Sequence, residues 1–402
     1  MNPRMNPSGE LRLRIVLRAQ AQGVRVVSAG VSSTRPHLAS PVFAGRTPAD
    51  VAAMVPRLFS VCGRAQGIAA ALACEAAAGV HEMPGVNEAR ALLTGVELLQ
   101  EGLWRTMIDW PRVLGEEAVV QAYAAVRAAL DAAAAPISGA AMLAAGAPQA
   151  QAVADAEAAA HEAAGDALAR QVLGVPHARW EAMRTPEELA DWAATRRTPA
   201  ARLIARIQGK HPGLGASEVA LLPGIDGEAM LRVLADRIAT DAQFARTPCW
   251  NGHPAETGPL ARMHGHPLVA ALLGRHGRSV CARLVARLAE LCAFASGASA
   301  PIGRIDLGNG SGVGWVETSR GLLLHYAEIA AGRVGAYVIV APTEWNFHPQ
   351  GALPRGLEGR DFAGEDAVRE AVGLLVQSLD PCVPWQAEVV LEGVEPAGAR
   401  HA

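Results

Sequence analysis

Two cysteines near the ends of this 402-residue chain each stand where half of a metal clamp would stand. Cys62 ends the sequence Arg-Leu-Phe-Ser-Val-Cys at 57–62, with Phe59 three residues before it. Cys382 ends the sequence Asp-Pro-Cys at 380–382, with Trp385 three residues after it. A Cys-x-x-Cys pair offers two thiolates to one soft metal ion. Each segment therefore keeps one thiol of such a pair and has a large apolar side chain in place of the other.

The other cysteines are expected to have structural roles. Free cysteine is among the most frequently buried residue types, and Cys74, Cys281 and Cys292 lie inside predicted helices with apolar neighbours. Cys249 lies in a loop with nearby histidines, but the ligand spacing of a zinc site is absent. The six cysteines do not form a dense disulfide framework, so free thiols or metal ligands are the two interpretations.

Composition limits the class of protein. Half of the residues are hydrophobic, which is enough for a large buried core. The formal charge of −3 comes from 36 basic and 39 acidic residues spread along the chain, so neither a nucleic-acid nor a membrane partner is predicted. The polar first ten residues and the charge-interrupted alanine stretches predict no signal peptide and no membrane span. We expect a soluble cytoplasmic protein with small-molecule or protein partners.

Local patterns predict the elements that position the two thiols. Alternating apolar and basic residues predict a β-hairpin over about 10–28, at an edge of the fold. A helix-prone region over 48–78, ended by Gly79, is interrupted around Cys62. A helical body is predicted over about 48–297, and within it the apolar repeat over 86–110 predicts an amphipathic helix that ends at Pro111.

The C-terminal third is predicted to change from helices to strands before it returns to a helix. The predicted strands and helix of this part are 312–317, 321–329, 333–340 and 388–391 as strands and 365–379 as a helix. The predicted β segment thus covers about 312–341, and the final helix leads into Asp380 and Cys382. We predict one domain over 1–402.

Several motifs resemble, in order, those of the large subunit of nickel-iron hydrogenases. They include Val-Phe-Ala-Gly-Arg at 42–46, the segment 57–75, Thr-Pro-Cys-Trp-Asn-Gly at 247–252, Glu-Thr-Gly-Pro-Leu-Ala-Arg at 256–262, Glu-Thr-Ser-Arg-Gly at 317–321, Pro-Thr-Glu-Trp-Asn at 342–346 and Asp-Pro-Cys at 380–382. These motifs cover nearly the whole chain, so the resemblance is specific. It implies an α+β, mostly α fold with a central helical bundle and small peripheral β-sheets.

The resemblance also implies which metal ligands are missing. In that family, two Cys-x-x-Cys pairs hold nickel and an iron that carries cyanide and carbon monoxide. Here Phe59 takes the place of one nickel-terminal cysteine, and Trp385 replaces one bridging cysteine. Cys62 keeps a bridging position and Cys382 keeps a nickel-terminal one, so these two residues are the expected metal ligands.

Four other positions complete the comparison with the family motifs. Arg320 and Asp380 are kept, which implies that the guanidinium of Arg320 donates to a cyanide while Asp380 lines the same pocket. Gln66 and Glu388 stand where the first and last motifs have histidines. Active large subunits are cut after that last histidine, so this cleavage is not expected here.

These losses favour a carrier over a catalyst. Nickel in a hydrogenase needs four thiolates, whereas iron with two cyanides and one carbonyl already has three strong ligands. Two thiolates then leave the iron five-coordinate, so it is bound but can still be released. The chain resembles more narrowly the hydrogenase-maturation proteins of the HupK/HoxV type. That resemblance implies a non-catalytic scaffold for a transient Fe(CN)2(CO) unit without nickel, with a small maturation chaperone and the immature hydrogenase large subunit as partners.

A metal-free alternative stays open. The quinone-site subunit of respiratory complex I resembles the same large subunits and has lost the cysteines, so the chain could be a structural or interaction subunit. This alternative is favoured if the sulfurs of Cys62 and Cys382 lie far apart, or if they are buried without a cavity between them. His325 is expected to be a hydrogen-bonded core residue, and the segment 256–262 is considered for a buried ion pair near the site.

Overall fold

A computed structural model describes residues 9–35, 39–59, 61–81, 83–139 and 152–393. Ser60 of the 57–62 motif and both ends of the predicted 1–402 domain lie outside these ranges. The described strands are β1 (Leu11–Ala19), β2 (Val24–Ser33), β3 (Ala220–Leu221), β4 (Ala255–Glu256), β5 (Ile302–Gly308), β6 (Ser311–Thr318), β7 (Gly321–Ala330), β8 (Arg333–Val340), β9 (Asp361–Phe362) and β10 (Trp385–Leu391).

The described α-helices are α1 (Ala39–Phe43), α2 (Pro48–Leu58), α3 (Gly63–Ala78), α4 (Val86–Trp104), α5 (Trp110–Leu114), α6 (Val120–Ala134), α7 (Val153–Ala167), α8 (His177–Glu181), α9 (Pro186–Ala194), α10 (Pro199–Lys210), α11 (Glu228–Thr240), α12 (Pro259–Met263), α13 (Pro267–His276), α14 (Val280–Ala295), α15 (Pro342–Asn346), α16 (Ala352–Leu357) and α17 (Glu365–Leu379). The segments Arg105–Asp109 and Leu168–Leu173 are π-helical, and Ala135–Ile137 is a 3₁₀ turn. None of the helices built from these residues is long and apolar enough to cross a lipid bilayer.

The predicted N-terminal hairpin is confirmed, and its first strand lies inside a sheet. β1 pairs antiparallel with β2, and the C-terminal strand β10 pairs parallel with the other side of β1. The strand order is β10-β1-β2-β9, so β1 lies inside the sheet. Alternate residues of β1 are buried, as the period-two pattern predicts. The two ends of the chain are therefore joined by backbone hydrogen bonds, and β10 begins three residues after Cys382.

The predicted interruption at Cys62 is also confirmed. α2 ends at Leu58 and α3 begins at Gly63. α3 ends at Gly79, whose φ of 64° is the left-handed conformation that glycine adopts without strain. Cys62 therefore lies in the short connection directly before the first turn of α3.

The predicted helix end at Pro111 is wrong. α4 passes into the π-helical segment Arg105–Asp109, and Trp110–Leu114 continues as α5. Pro111 lies at the start of α5, where a missing backbone N–H costs little. A π-helical turn before the proline lets the helix continue, so a proline in the sequence does not by itself mark the end of a helix.

The second large sheet contains the three predicted strands and one that was missed. Its order is β5-β6-β7-β8, with all neighbours antiparallel. β5 has only Ile305 fully buried, so its sequence shows no clear alternation. The turn between β7 and β8 contains Ala331 and Gly332, both with positive φ, as the predicted hairpin requires.

Two glycines of β6 let α3 pack directly against this sheet. A Cβ atom on Gly314 would lie 2.4 Å from the carbonyl oxygen of Ala69, and one on Gly312 would lie 2.4 Å from the amide nitrogen of Ala77. Both contacts are with the backbone of α3, which moves little. The alanines of α3 and the glycines of β6 let the helix lie close to the sheet. This packing fixes the position of Cys62, which directly precedes the helix.

The helical body surrounds α14. Fifteen of its residues are buried, and it contacts α4, α7, α8, α10, α12, α13 and α17. This central bundle with small sheets around it is the α+β, mostly α architecture that the sequence predicts.

Substituting Gly314 with alanine tests the close contact between α3 and β6. The new methyl group overlaps the backbone of Ala69, so we expect the free energy of unfolding in urea to fall by about 1–3 kcal/mol. Gly335→Ala in β8 is the matched control, because its methyl group would lie 3.9 Å from the nearest atom, the Glu328 oxygen. Equal unfolding midpoints for the two variants would contradict this packing.

Candidate functional site

The two thiols come from opposite ends of the chain but share a cationic neighbour. Cys382 follows the end of α17, and Cys62 precedes α3. A charge on the Cys382 sulfur raises the pKa of Cys62, so the two sulfurs are electrostatic neighbours. The guanidinium of Arg35 acts on both, and its Nη1 lies 3.6 Å from the Cys382 sulfur. Both thiols thus face one common cation.

The Cys382 sulfur has a dedicated hydrogen-bond donor. The hydroxyl of Thr343, in α15, lies 3.0 Å from this sulfur and accepts the backbone N–H of Cys382 at 3.2 Å. Since that oxygen accepts the amide, its own proton is free to be donated to the sulfur. Thr343 therefore holds Cys382 in place and offers its sulfur a hydrogen bond.

A series of hydrogen-bonded side chains leads from Cys62 into the core. The amide nitrogen of Gln66 lies 3.8 Å from the Cys62 sulfur, and its oxygen is 2.9 Å from Nε2 of His325. Nδ1 of His325 lies 2.6 Å from the hydroxyl of Tyr337. If Nε2 donates to Gln66, Nδ1 must accept from Tyr337, and all three side chains are satisfied. His325 is thus the buried, hydrogen-bonded core residue that was expected, and it aims the Gln66 amide at Cys62.

Burial keeps the Cys62 thiol protonated at neutral pH. Loss of hydration raises its pKa to about 12, and the charges of Cys382 and Glu97 act in the same direction. Arg320 and Arg35 oppose this effect. A metal that binds here must displace the proton, because the thiolate is the ligand.

Asp380 lies at the centre of a buried ion cluster. Its Oδ1 is 2.7 Å from Nη2 of Arg105 and 3.3 Å from Nε of Arg320, and its Oδ2 is 2.8 Å from Nη2 of Arg287. Burial opposes the charge of this carboxylate, but the three guanidinium groups lower its pKa to about 2. Its φ of 55° is left-handed and ends α17, so the cluster fixes the backbone conformation two residues before Cys382.

Arg320 is placed near both thiols, and most of its donors are engaged by protein. Nη2 donates to Glu101 at 2.8 Å, and Nη1 is 3.4 Å from the hydroxyl of Ser319. The side chain of Asn346 holds the backbone of Arg320, with its amide 3.0 Å from the carbonyl oxygen. Arg320 and Asp380 thus form one rigid wall of the site. Neither Glu101 nor Arg35 was among the residues that the sequence identified, because no spacing links them to the thiols.

The substituted positions have different surroundings. Phe59 lies against Arg35, whose guanidinium carbon is 5.7 Å from the ring centroid. Trp385 begins β10 opposite Leu11 and packs against the main hydrophobic core. Glu388 is on the exposed face of β10, 3.5 Å from Arg14.

The remaining cysteines do not extend the site. Cys74, Cys281 and Cys292 are buried in helices, as predicted. The sulfur of Cys249 lies 3.6 Å from Nε2 of His348. Within the described ranges, no group of three or more histidine, cysteine or carboxylate side chains could hold a metal ion.

The segment 256–262, considered for a buried ion pair, takes part in two such pairs. Glu256 binds Arg283, with both contacts at 2.8 Å. Arg262 binds Glu290 at 2.5 Å and also contacts Glu317. Both pairs are buried parts of the framework behind Arg320.

Comparison with known proteins identifies the relatives of this chain. The family model of the nickel-dependent hydrogenases matches residues 270–384. The hydrogenase expression/formation protein HoxV of Cupriavidus necator is 32% identical, over 89% of this chain and 92% of the relative. The hydrogenase expression/formation protein HupV of Azotobacter chroococcum is 31% identical, over 94% of this chain and 98% of the relative.

The fold has a solved counterpart. A chain of the reduced, active Ni-Fe-Se hydrogenase from Desulfomicrobium baculatum superposes with a TM-score of 0.52, at 18% identity, over 91% of this chain and 95% of that one. At this identity the likeness concerns the fold alone.

Removing the charge of Asp380 tests the buried cluster. Asp380→Asn leaves three buried arginines without their common carboxylate, so we expect the free energy of unfolding to fall by about 3 kcal/mol or more. Asp361→Asn is the control, because its pair with Arg25 is exposed and should contribute far less. Similar urea midpoints for the two variants would show that the cluster is not structural.

The stability of the protein should also depend on the protonation of His325. Burial, aided by Arg35, lowers its pKa to about 3, whereas the unfolded chain has a value of about 6.5. Its contribution is complete above pH ~6.5 and is lost as the pH falls towards the folded value, by up to about 1.4 kcal/mol per pH unit. We expect the stability difference between wild type and His325→Gln to shrink between pH 7 and 4 in urea titrations. A difference that stays constant over this range would contradict the assignment.

Proposed function

The chain belongs to the hydrogenase expression/formation proteins that include HoxV, HupV and HupK, and on this basis we propose that it is a non-catalytic scaffold in nickel-iron hydrogenase maturation. Its cargo is an Fe(CN)2(CO) unit, held between Cys62 and Cys382 until it passes to the hydrogenase large subunit.

The observation that carries this proposal is the meeting of the two thiols at one guanidinium. Cys62 and Cys382 both interact with Arg35, although one precedes α3 and the other follows α17. A structural cysteine needs no polar donors, yet Thr343 lies 3.0 Å from one sulfur and Gln66 lies 3.8 Å from the other. Donors of this kind stabilise thiolates, which are the form of cysteine that binds metal.

The number of ligands suits a temporary cargo. Two thiolates add to the two cyanides and one carbonyl that the iron brings, so one coordination position stays open. An incoming donor from an acceptor protein can bind there before either cysteine leaves. When the cargo arrives, each thiol that is still protonated releases its proton to solvent as the iron–sulfur bond forms. Iron changes its ligands in this exchange but not its oxidation state.

Nickel is not part of the proposed cargo. Phe59 and Trp385 stand where the family resemblance requires two further thiolates, and both are apolar. The ring of Phe59 lies against Arg35, and the ring of Trp385 packs against the hydrophobic core. A thiolate nickel site needs soft sulfur donors that these side chains lack.

The proposal requires two protein partners at different times. A small maturation chaperone delivers the iron unit, and the immature hydrogenase large subunit receives it. Both exchanges need access to the same open coordination position, so the two partners are expected to bind in turn rather than together.

Infrared spectroscopy tests the cargo directly. Protein purified without oxygen from a host with intact hydrogenase maturation should show cyanide and carbonyl stretching bands. Cys62→Ser and Cys382→Ser should each lose these bands together with the bound iron, because one thiolate alone does not hold the unit. Cys249→Ser is the matched control, since this half-buried thiol contacts His348 and not the site; it should keep both bands.

The outcomes separate the proposed function from its alternative. Wild-type protein of normal stability that lacks both bands would favour a metal-free interaction subunit. Bands that persist in both serine variants would show that the iron unit is held elsewhere.

A further inference from the structure

We propose that Arg35 binds the cargo in addition to Arg320: its guanidinium, next to the Cys382 sulfur, neutralises the anionic complex and donates N–H groups to it. This inference rests on the proposed function and adds a binding residue to it.

The position of Arg35 is fixed by its backbone. It lies two residues after β2, and its amide is 3.2 Å from the hydroxyl of Ser33. The preceding residue, Thr34, is bound to Glu10 by two contacts, at 2.9 and 3.0 Å. A Cβ atom on Gly9 would lie 2.4 Å from the Cα of Arg35, so the chain passes directly over it. The side chain is only 11% exposed and points towards the thiols.

The ion pair of Arg35 is the longest among those of the arginines at the site. Arg105 and Arg287 lie 2.7 and 2.8 Å from Asp380, and Arg320 lies 2.8 Å from Glu101. In the part of the chain that the structure describes, the ion pair of Arg35 is with Glu344, at 3.9 Å. Burial raises the pKa of this glutamate to about 7. Its carboxyl group is therefore only partly ionised at neutral pH and neutralises the guanidinium only in part.

The cargo supplies the missing negative charge. Ferrous iron with two cyanides and one carbonyl is neutral, and two thiolates make the complex dianionic. A buried anion is costly unless cations and hydrogen-bond donors surround it. Since Arg320 is already paired with Glu101 and Asp380, the free capacity for this charge lies with Arg35.

Phe59 takes part in this arrangement. Its ring lies 5.7 Å from the guanidinium carbon of Arg35, a distance at which a cation and an aromatic face attract. The residue that stands in the place of a cysteine thus orients a cation that faces the two remaining thiols. Position 59 has thus lost the cysteine that the family resemblance implies and has gained a ring that positions a cation.

The test compares three variants purified without oxygen. In Arg35→Met, the side chain keeps its length but loses its charge and donors, so iron per protein should fall about tenfold under conditions where binding is limiting. Arg35→Lys should retain iron, while its cyanide bands shift because an ammonium cannot reproduce the planar fork of the guanidinium. Arg25→Met, at an exposed position of β2, should match wild type in iron content and in band positions.

A second readout needs no cargo. In metal-free protein, loss of the nearby cation should slow alkylation of Cys382 by iodoacetamide about tenfold, as measured on the Cys382 peptide by mass spectrometry. The Arg25→Met protein should react at the wild-type rate.

The outcomes distinguish this inference from the proposed function. Wild-type protein without infrared bands would overturn both. Wild-type protein with bands, and Arg35→Met protein with the same iron content and band positions, would overturn the role of Arg35 alone. If Arg35→Met does not fold, Arg35→Lys decides: unshifted cyanide bands in that variant contradict the inference.

Discussion

The buried carboxylate of Asp380 is the contact on which the geometry of this site depends. Its three arginine partners come from a π-helical turn, from the central helix α14 and from the connection between β6 and β7. One side chain thus ties the helical bundle and the second sheet to the segment that carries Cys382. The parallel pairing of β10 with β1 holds the same segment from its other end. Cys382 is therefore fixed on both sides before any cargo is present.

The features that the sequence predicted are those with local signals. Gly79 ends a helix through its own conformation, and the hairpin around Gly332 follows from its turn residues. The parallel pairing of β10 with β1 joins the chain ends and leaves no local pattern, so it was not predicted. The π-helical turn before Pro111 was missed because a single-period helix pattern does not describe it.

The residues of the site also divide into those that the sequence predicted and those that it missed. Cys62, Cys382, Arg320 and Asp380 were identified through a family resemblance carried by short motifs, and the structure brings them together. Arg35 was missed because arginine is common in this chain and nothing in its local sequence distinguishes it; its position depends on the end of β2 and on Phe59. The site thus has two thiols, a guanidinium next to one of them and a hydrogen-bond donor at each sulfur.

The most direct test of the central claim is iron X-ray absorption spectroscopy on protein purified without oxygen. If Cys62 and Cys382 hold the iron unit, the spectrum should show two sulfur neighbours per iron beside the short bonds to the diatomic ligands. Each single cysteine-to-serine variant that retains any iron should show one sulfur fewer. Iron without sulfur neighbours, or with the full thiolate set of a hydrogenase, would contradict this account of the site.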